Sequence, residues 1–286
     1  MNNLNDIKTV GIAGAGTMGA GIAQVCSQAA YKVILFDLNE QVLAKAKSNM
    51  ETALQKLESN GKIGVGKSIE ILQNILFTSQ INDLKADLII EAIIEKTEVK
   101  ISLFEQLIEL NGNQTIYATN TSSIPITKIA AGISMPERLV GIHFFNPAQI
   151  MKLVEVIKGA KSDPALIAIS GEFVKKLGKV PVFAADSPGF IVNRVARLYY
   201  VESLKMLEEG VASLETIDNI MESSGFKMGP FKLMDLIGVD TNYSVTESQY
   251  QLFNHEARFR PSRIQKQKVD AGQHGRKTKQ GFYNYE

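Results

Sequence analysis

Short apolar runs alternate with longer amphipathic stretches through the first part of the chain. The runs are rich in branched side chains and cover residues 9–13, 32–36, 88–92, 115–118, 139–143 and 153–157. Between them, residues 19–30, 40–57 and 99–110 carry apolar side chains three and four positions apart, the spacing of a helix packed on one face. This alternation predicts a doubly wound, mostly parallel α/β sheet.

The pattern changes near residue 186. Residues 180–185 form a last strand-like run, and Asp186-Ser-Pro-Gly189 is typical of a turn. Beyond the turn, helical spacing covers residues 191–209, 214–223, 231–235 and 240–253, and only residues 282–285 have the pattern of a strand. We therefore predict two domains, a sheet domain over residues 1–186 and an all-α C-terminal domain over residues 187–286.

Composition excludes several classes of protein. The 31 basic and 30 acidic residues give a net charge of +1, so the chain lacks the one-signed field that attracts nucleic acid or an anionic membrane. Its apolar runs are strand-sized and the amino terminus has no secretory pattern, so we expect a cytoplasmic protein without a membrane span. One cysteine and three histidines offer no disulfide framework and no cluster at zinc-ligand spacing, so we expect no metal.

A glycine-rich turn follows the first predicted strand and opens the first predicted helix. Its spacing is that of a dinucleotide-binding turn, and Asp37 ends the second strand about 20 residues further on, where a carboxylate accepts ribose hydroxyls and repels a 2′-phosphate. The combination predicts a Rossmann-type domain that binds NAD in preference to NADP. The residues of this predicted cofactor site are Asp37 and the turn itself, Gly14, Ala15, Gly16, Thr17, Met18 and Gly19. A glycine turn without a ligand and a flavin site are the alternatives.

Two ionisable residues lie in consecutive apolar runs. An unpaired carboxylate at Glu155, inside Leu153-Val-Glu-Val-Ile157, would cost several kcal/mol, so it requires a cationic or hydrogen-bonding partner. His143 ends the preceding run, and consecutive strands of a parallel sheet are usually neighbours, so we predict a His143–Glu155 pair. The carboxylate would fix the imidazole tautomer and stabilise the imidazolium formed on proton transfer. From the pattern alone, a structural histidine satisfied within the core is an equal alternative.

At these positions the chain resembles the 3-hydroxyacyl-CoA dehydrogenase family, which includes the 3-hydroxybutyryl-CoA dehydrogenases. The resemblance runs from Val10 to Tyr283 and is carried by Gly14-Ala-Gly-Thr-Met-Gly-Ala-Gly-Ile-Ala-Gln24, Asn120-Thr-Ser-Ser123, His143-Phe-Phe-Asn-Pro147, Met151-Lys-Leu-Val-Glu-Val-Ile157, Asp186-Ser-Pro-Gly-Phe-Ile-Val-Asn-Arg194 and Met228-Gly-Pro230. It implies reversible, NAD-dependent oxidation of an L-3-hydroxyacyl-CoA, such as 3-hydroxybutyryl-CoA, in fatty acid or butyrate metabolism. It also implies an acyl-CoA thioester as the substrate and a homodimer as the assembly.

The same resemblance assigns roles to individual residues. By their positions in the motifs, it implies that His143 is the catalytic base and Glu155 its partner, and that Ser122 and Asn193 bind substrate around its hydroxyl and thioester. The NAD contacts that it implies are Asp37, Glu95, Lys100, Ser122 and Lys277. Without the resemblance, Ser122 and Asn193 have the alternative of bonding nearby backbone, and Glu95 and Lys100 that of an ordinary charged helix face.

The chain departs from the family pattern in two places. Lys279 stands where the closing motif usually has a glycine, and a left-handed conformation there would strain a lysine. Ala53 and Asn60 stand where a serine and a lysine of the coenzyme A contacts are often found. We expect Lys56, together with Lys62, to bind the coenzyme A phosphates instead.

Assembly and function have competing interpretations. The predicted helices over residues 191–209 and 240–253 carry more apolar side chains than a small helical domain covers alone, which favours a homodimer. A sugar-acid 3-dehydrogenase of the gulonate type on the same fold, or a non-catalytic NAD-binding relative, are the alternative functions. The joint presence of Ser122, His143, Glu155 and Asn193 favours the thioester dehydrogenase.

Overall fold

The chain folds into two compact units. The computed structural model describes residues 3–286. The first unit is Met1–Ser187 and the second is Pro188–Glu286, and they are called unit 1 and unit 2. The division falls in the turn Asp186-Ser-Pro-Gly189, where the hydrophobic pattern of the sequence changes.

Unit 1 contains one eight-stranded sheet. Its strands are β1 (Thr9–Ala13), β2 (Lys32–Phe36), β3 (Ile75–Thr78), β4 (Leu88–Glu91), β5 (Ile116–Thr119), β6 (Leu139–Phe144), β7 (Leu153–Lys158) and β8 (Val180–Ala185). The order across the sheet is β3-β2-β1-β4-β5-β6-β7-β8, and β1 to β6 all run parallel. The predicted fold class, a Rossmann-type sheet domain followed by an all-α domain, is confirmed.

The strand order locates the ligand-binding edge of the sheet. From β1 the chain moves outward to β2 and β3, then returns to pair β4 on the other side of β1. Such a reversal leaves a crevice at the carboxyl ends of the flanking strands, where ligands of doubly wound proteins bind. The glycine turn that follows β1 therefore begins at this crevice.

Six helices connect these strands. They are α1 (Thr17–Gln28), α2 (Glu40–Ser59), α3 (Lys67–Gln73), α4 (Thr97–Asn111), α5 (Ile126–Ala130) and α6 (Pro164–Lys176). Side-chain caps fix two of the helix starts, because Asn39 accepts from backbone N–H groups at the start of α2 and Asp163 does so at α6. The apolar faces of α1, α2 and α6 pack with the branched side chains of the sheet in one core.

The strands β6 and β7 run antiparallel, and β7 and β8 are parallel to each other. Only residues 145–152 join β6 to β7, fewer than the dozen or so that a parallel crossover requires. His143 and Glu155 are direct partners across this antiparallel pair. The expectation that they are adjacent is therefore correct, but the parallel geometry used to argue it is wrong.

Four elements of unit 1 were not predicted from the pattern, namely α3, β3, α5 and α6. Residues 67–78 form α3 and β3, whereas the sequence analysis assigned neither. β3 is a four-residue edge strand whose apolar run, Ile75-Leu-Phe77, is shorter than the runs used to predict the other strands, and its Leu76 side chain is exposed. A seven-residue helix next to a short edge strand gives too few positions for a clear period.

Unit 2 is all-α. Its helices are α7 (Val192–Glu208), α8 (Leu214–Ser223), α9 (Pro230–Ile237), α10 (Val239–Leu252) and α11 (Arg263–Asp270), of which α11 was not predicted. Residues 282–285, which had the pattern of a strand, form one isolated antiparallel bridge, between Asn284 and Gln280, instead of a strand. Among the residues that the structure describes, no helix is long and apolar enough to cross a membrane.

Candidate active site

Three glycines shape the turn between β1 and α1. Gly14 has φ +103°, and a Cβ there would lie 2.6 Å from the Ala92 carbonyl oxygen. A Cβ on Gly19 would lie 1.8 Å from the Gly14 carbonyl oxygen, so the helix can start against the turn only without it. A Cβ on Gly16 would meet no protein atom within 4 Å. No protein atom therefore requires a glycine at position 16. A pyrophosphate that approaches the start of α1 closely would require one.

Asp37 fastens this turn to the end of β2. Its Oδ2 accepts a hydrogen bond from the Ala15 N–H at 2.8 Å, and its Oδ1 accepts one from the Asn39 N–H at 2.9 Å. The Gly14 N–H donates to the Phe36 carbonyl oxygen at 2.7 Å. These bonds hold a carboxylate beside the turn, where it fits the ribose hydroxyls of a dinucleotide.

An open cavity of about 430 Å³ extends from the turn along α4. Gly14 and Asp37 line it together with the apolar side chains of Leu38, Ile81 and Ile93. Its volume lies within the usual range for small-molecule sites, roughly 300–1,000 Å³. Apolar walls next to one carboxylate suit a flat purine joined to a ribose, so the residues present fit the adenosine part of NAD.

Lys100 of α4 is a buried cation at the carboxyl end of β4. Its side chain is 1% exposed, and its Nζ lies 2.5 Å from Glu91 Oε1 and 3.1 Å from Glu95 Oε2. Glu91, the last residue of β4, is completely buried and also accepts from the Thr119 hydroxyl and the Ile93 N–H. Burial raises the pKa of the Glu91 carboxyl, against the opposing effect of Lys100. The three charged groups form one cluster beneath the sheet edge.

This cluster corrects one interpretation and adds one residue. The alternative of an ordinary exposed helix face is wrong for Lys100, because its side chain is buried between two carboxylates. Glu91 was missed by the sequence analysis. A carboxylate inside an apolar run is the signal that singled out Glu155, and the same reasoning applied to the run over residues 88–92 would have found Glu91.

Glu95 organises the loop that carries Ser122. Its Oε1 accepts from the Thr121 hydroxyl at 2.5 Å, the Ser122 N–H at 3.1 Å and the Ser123 hydroxyl at 3.1 Å. Burial opposes ionisation, but Lys100 and these hydrogen bonds lower the pKa of the Glu95 carboxyl. Three residues predicted to contact the cofactor, Glu95, Lys100 and Ser122, therefore belong to one hydrogen-bonded cluster.

His143 and Glu155 form a buried pair between β6 and β7. The His143 Nδ1 lies 2.8 Å from Glu155 Oε2, and the Glu155 side chain is completely buried. Because an ionised carboxylate cannot donate, Nδ1 carries a proton and the neutral ring presents Nε2 as an acceptor. β6 runs parallel to β1, so His143, near the carboxyl end of β6, lies at the same sheet edge as the glycine turn.

Asn193 and Lys277 belong to unit 2. Asn193 is the second residue of α7. Lys277 lies in the 3₁₀ turn Arg276–Thr278, and its Nζ is 2.6 Å from Asp240 Oδ2. Partial burial opposes ionisation of Asp240, but the hydrogen bond from Lys277 lowers the pKa of its carboxyl. Lys279, which follows the turn, has φ 60° and ψ 4°, the left-handed conformation that strains a lysine.

A second cavity, of about 460 Å³, lies between α1 and α2. Gly16, Lys45 and Ala53 are among its lining residues. Lys56, predicted to bind coenzyme A, is an exposed residue of the last turn of α2 and does not line it. Lys45, which the sequence analysis did not single out, is the cation that faces this cavity.

The arrangement at the sheet edge can accept a proton beside a dinucleotide. His143 offers a ring nitrogen whose protonated form Glu155 stabilises, which is the arrangement of a general base and its orienting carboxylate. The geometry of the glycine turn and the carboxylate of Asp37 fit a pyrophosphate and a ribose. Within residues 3–286, no three His, Cys, Asp or Glu side chains are grouped as a metal site requires.

Comparison with known proteins gives the family. The model described as "3-hydroxyacyl-CoA dehydrogenase, NAD binding domain" matches residues 9–187, and the C-terminal domain model of the same enzyme matches residues 189–285. A 3-hydroxyadipyl-CoA dehydrogenase of Escherichia coli is 44% identical over 98% of this chain, which spans 59% of that protein's length. A probable 3-hydroxybutyryl-CoA dehydrogenase of Deinococcus radiodurans is 39% identical over 96% of this chain and 99% of its own length.

The fold comparison agrees with the sequence comparison. The crystal structure of an (S)-3-hydroxybutyryl-CoA dehydrogenase from Ralstonia eutropha superposes with a TM-score of 0.93 at 38% identity, covering 98% of this chain and 99% of that one. Both family models and the full-length relatives thus match the two units in order. The chain therefore belongs to the 3-hydroxyacyl-CoA dehydrogenase family and is an oxidoreductase with an NAD-binding domain.

Proposed function

We propose that the protein catalyses the reversible, NAD-dependent oxidation of an L-3-hydroxyacyl-CoA to the 3-oxoacyl-CoA. The observation that carries this proposal is the buried His143–Glu155 pair, 2.8 Å apart, at the sheet edge where the glycine turn begins. The relatives named above share a 3-hydroxyacyl-CoA substrate and differ in its acyl group. Their common chemistry supports the thioester class.

The proton of the substrate hydroxyl goes to His143. Its Nε2 is the acceptor because Nδ1 already donates to Glu155. The carboxylate of Glu155 stabilises the imidazolium as it forms, and in a buried site this attraction is screened less than in water. General base catalysis of this kind contributes about 10²- to 10⁴-fold.

NAD, when bound, supplies the acceptor for the hydride that leaves C3 of the substrate. The backbone N–H groups of residues 14–19 and the start of α1 hold its pyrophosphate. Asp37 accepts the ribose hydroxyls and disfavours a 2′-phosphate by charge repulsion, which gives NAD preference over NADP. The cluster of Glu95, Lys100 and Ser122 is the second part of the proposed cofactor site, with Lys277 from unit 2.

The remaining assignments concern substrate and assembly. We propose that Ser122 and Asn193 bind the substrate around its hydroxyl and thioester, and that Lys56 binds a phosphate of coenzyme A. Lys45 is a further candidate for that phosphate because it lines the cavity next to Gly16. The proposed assembly is a cytoplasmic homodimer, supported by exposed apolar side chains along α7 such as Val195 and Leu198.

The consumption of NADH with three substrates tests this function. The three compounds are acetoacetyl-CoA, free acetoacetate and the oxidised form of gulonate. The first has a thioester, the second has the same acyl group without it, and the third is a sugar acid. We expect turnover of acetoacetyl-CoA and of neither free acid. Faster turnover of the sugar acid would assign the protein to the gulonate-type dehydrogenases. Binding of NADH without turnover of any of the three, or of a dicarboxylic 3-oxoacyl-CoA such as 3-oxoadipyl-CoA, would make it a non-catalytic relative.

A further inference from the structure

Arg197 is a buried arginine on α7. Its side chain is 3% exposed, and its guanidinium lies over the ring of Tyr200, 5.1 Å from the ring centroid. All three of its hydrogen bonds are made by Nη1, which donates to the Asn242 carbonyl oxygen at 2.9 Å, the Asn242 Oδ1 at 3.1 Å and the Thr246 hydroxyl at 2.8 Å. The protein therefore holds the guanidinium by one nitrogen and with neutral oxygens.

The opposite side of the guanidinium is unused by the described residues. The buried Nε has no hydrogen-bond partner, and no hydrogen bond is formed by Nη2. These two nitrogens make the fork that binds a carboxylate through two parallel hydrogen bonds. A guanidinium fixed through Nη1 presents this fork in one orientation, which is the arrangement of a prepared anion site.

No carboxylate among residues 3–286 forms an ion pair with Arg197. The two buried carboxylates of unit 2 are committed elsewhere. Asp218 accepts from two backbone N–H groups at the start of α9 and from the Tyr283 hydroxyl. Asp235 accepts from two backbone N–H groups of the closing segment and from the Tyr285 hydroxyl. Burial without a counter-charge lowers the pKa of Arg197 to about 10, so an anion that binds there removes a large penalty.

A second buried polar group points to the same place. Gln249 on α10 is completely buried, and both its Oε1 and its Nε2 lack a partner. Asn242, Thr246 and Gln249 follow one another at four and three positions, so they share one face of α10, and two of them bind Arg197. The amide of Gln249 lies against Gly189, where an added Cβ would come within 2.2 Å of Nε2.

We infer that Arg197 and Gln249 bind a carboxylate at the far end of the acyl chain, so that the substrates are 3-hydroxyacyl-CoA thioesters of dicarboxylic acids. The inference rests on the proposed function, in which Asn193 contacts the substrate near C3. Arg197 follows Asn193 by four positions on α7, which places it on the same helix face about 6 Å further along the axis. A carboxylate a few carbons beyond C3 fits this separation, as in an adipyl chain. The coenzyme A phosphates are assigned to lysines of unit 1.

Two substrates that differ only at the end of the chain test the inference on the wild-type protein. In 3-hydroxyadipyl-CoA a carboxylate replaces the terminal methyl group of 3-hydroxyhexanoyl-CoA. We expect kcat/KM with NAD to be at least about tenfold higher for the adipyl thioester, because a site built for a polar group rejects an analogue that leaves it unpaired. Equal rates, or a preference for the hexanoyl thioester, would overturn the inference. Turnover of neither would contradict the proposed function itself.

Substitutions assign the preference to the two residues. Arg197→Met should lower the adipyl-to-hexanoyl ratio of kcat/KM by about 100-fold, because the carboxylate then enters a buried site without its partner. Gln249→Leu should lower the ratio by about tenfold. Lys205→Gln removes one exposed positive charge from the same helix and should keep the wild-type ratio, which controls for net charge.

Thermal unfolding of each variant separates loss of the site from loss of the fold. If Arg197→Met does not fold, the inference is still tested by the adipyl-to-hexanoyl ratio of kcat/KM in the wild type and in Gln249→Leu. An unchanged ratio in a folded Arg197→Met would contradict the inference. A second result would also contradict it, namely a wild-type protein with no preference between the two thioesters and an Arg197→Met variant that is a monomer where the wild type is a dimer. In that case the anion that binds Arg197 would be a carboxylate of a second copy of the chain.

Discussion

Two buried cations, one in each unit, have opposite surroundings. In unit 1, Lys100 is 1% exposed and lies between the carboxylates of Glu91 and Glu95. In unit 2, Arg197 is 3% exposed, and its hydrogen bonds are all to neutral oxygens. Burying an ion costs several kcal/mol unless a partner compensates it. Lys100 is therefore neutralised by carboxylates of its own unit, whereas no carboxylate among residues 3–286 pairs with Arg197.

The same contrast applies to the carboxylates. Glu155 and Glu91 of unit 1 each face a cation or an imidazole, and both lie at the edge of the sheet where chemistry is proposed. Asp218 and Asp235 of unit 2 accept from backbone N–H groups and tyrosine hydroxyls and hold helices and the closing segment together. The buried carboxylates Glu91 and Glu155 of unit 1 thus belong to the proposed site, whereas Asp218 and Asp235 of unit 2 hold the fold together.

The largest effect is expected at the His143–Glu155 pair, and it would sharpen the assignment of chemistry to unit 1. His143→Gln keeps a hydrogen-bonding side chain but has no titratable nitrogen, so kcat should fall about 10²- to 10⁴-fold. The affinity for NADH, measured by calorimetry, should change little because the cofactor contacts remain. His255→Gln, at an exposed histidine of unit 2, is the control and should keep wild-type turnover. A normal kcat in His143→Gln would refute the role of the base.

Glu91→Gln breaks the complete cluster and is expected to have the next largest effect. With one of its two carboxylates removed, Lys100 becomes a partly uncompensated buried cation, and the free energy of unfolding should fall by about 3 kcal/mol. The double variant Glu91→Gln/Lys100→Met removes both charges and should recover part of this loss. Urea unfolding measures all three proteins. A single variant as stable as the wild type would show that the cluster is not required.

A substitution at Asp37, in the proposed cofactor site of unit 1, is expected to have an effect of intermediate size. Asp37→Ala removes the charge that opposes a 2′-phosphate, and the wild-type preference for NAD over NADP should narrow by about tenfold or more. The measurement is kcat/KM for each cofactor at saturating acetoacetyl-CoA or its reduced counterpart. Equal use of both cofactors by the unmutated protein would contradict the role given to Asp37.

The smallest effect concerns backbone strain in unit 2. Gly14 in unit 1 takes a left-handed conformation freely, whereas Lys279 takes one at a cost of about 1–2 kcal/mol. Lys279→Gly should stabilise the protein by about 0.5–1 kcal/mol, after the greater chain entropy of glycine is subtracted. Lys279→Ala removes the charge and keeps the strain, so it should give no gain. If thermal unfolding shows Lys279→Ala to be more stable than Lys279→Gly, backbone strain at residue 279 is excluded as the cause of the difference in stability.

Much of the fold follows from the sequence because its signals are local. Branched apolar runs gave seven of the eight strands, and Gly14-Ala-Gly-Thr-Met-Gly19 located the cofactor turn. β3 was missed because its apolar run, Ile75-Leu-Phe77, has only three residues. The direction of β7 was misjudged because its link to β6 was not tested against the length that a crossover requires.

The site was harder to predict where a residue depends on distant neighbours. Glu155 was found because a carboxylate in an apolar run needs a partner, and Glu91 was missed although the same argument applies. Arg197 gave no signal, since an arginine on an amphipathic helix is ordinarily solvated at its tip. The Arg197 side chain is buried because α7 packs against α10, and this packing gives it no carboxylate partner.

The transfer of deuterium from NADH to the substrate tests the central claim most directly. NADH carrying deuterium at both C4 positions is mixed with acetoacetyl-CoA and the wild-type protein, and the product is analysed by mass spectrometry. We predict 3-hydroxybutyryl-CoA with one deuterium at C3 for each NADH consumed, because the hydride passes directly between the two carbons. Product without deuterium at C3, or no reduced thioester from a protein that binds NADH, would contradict the account.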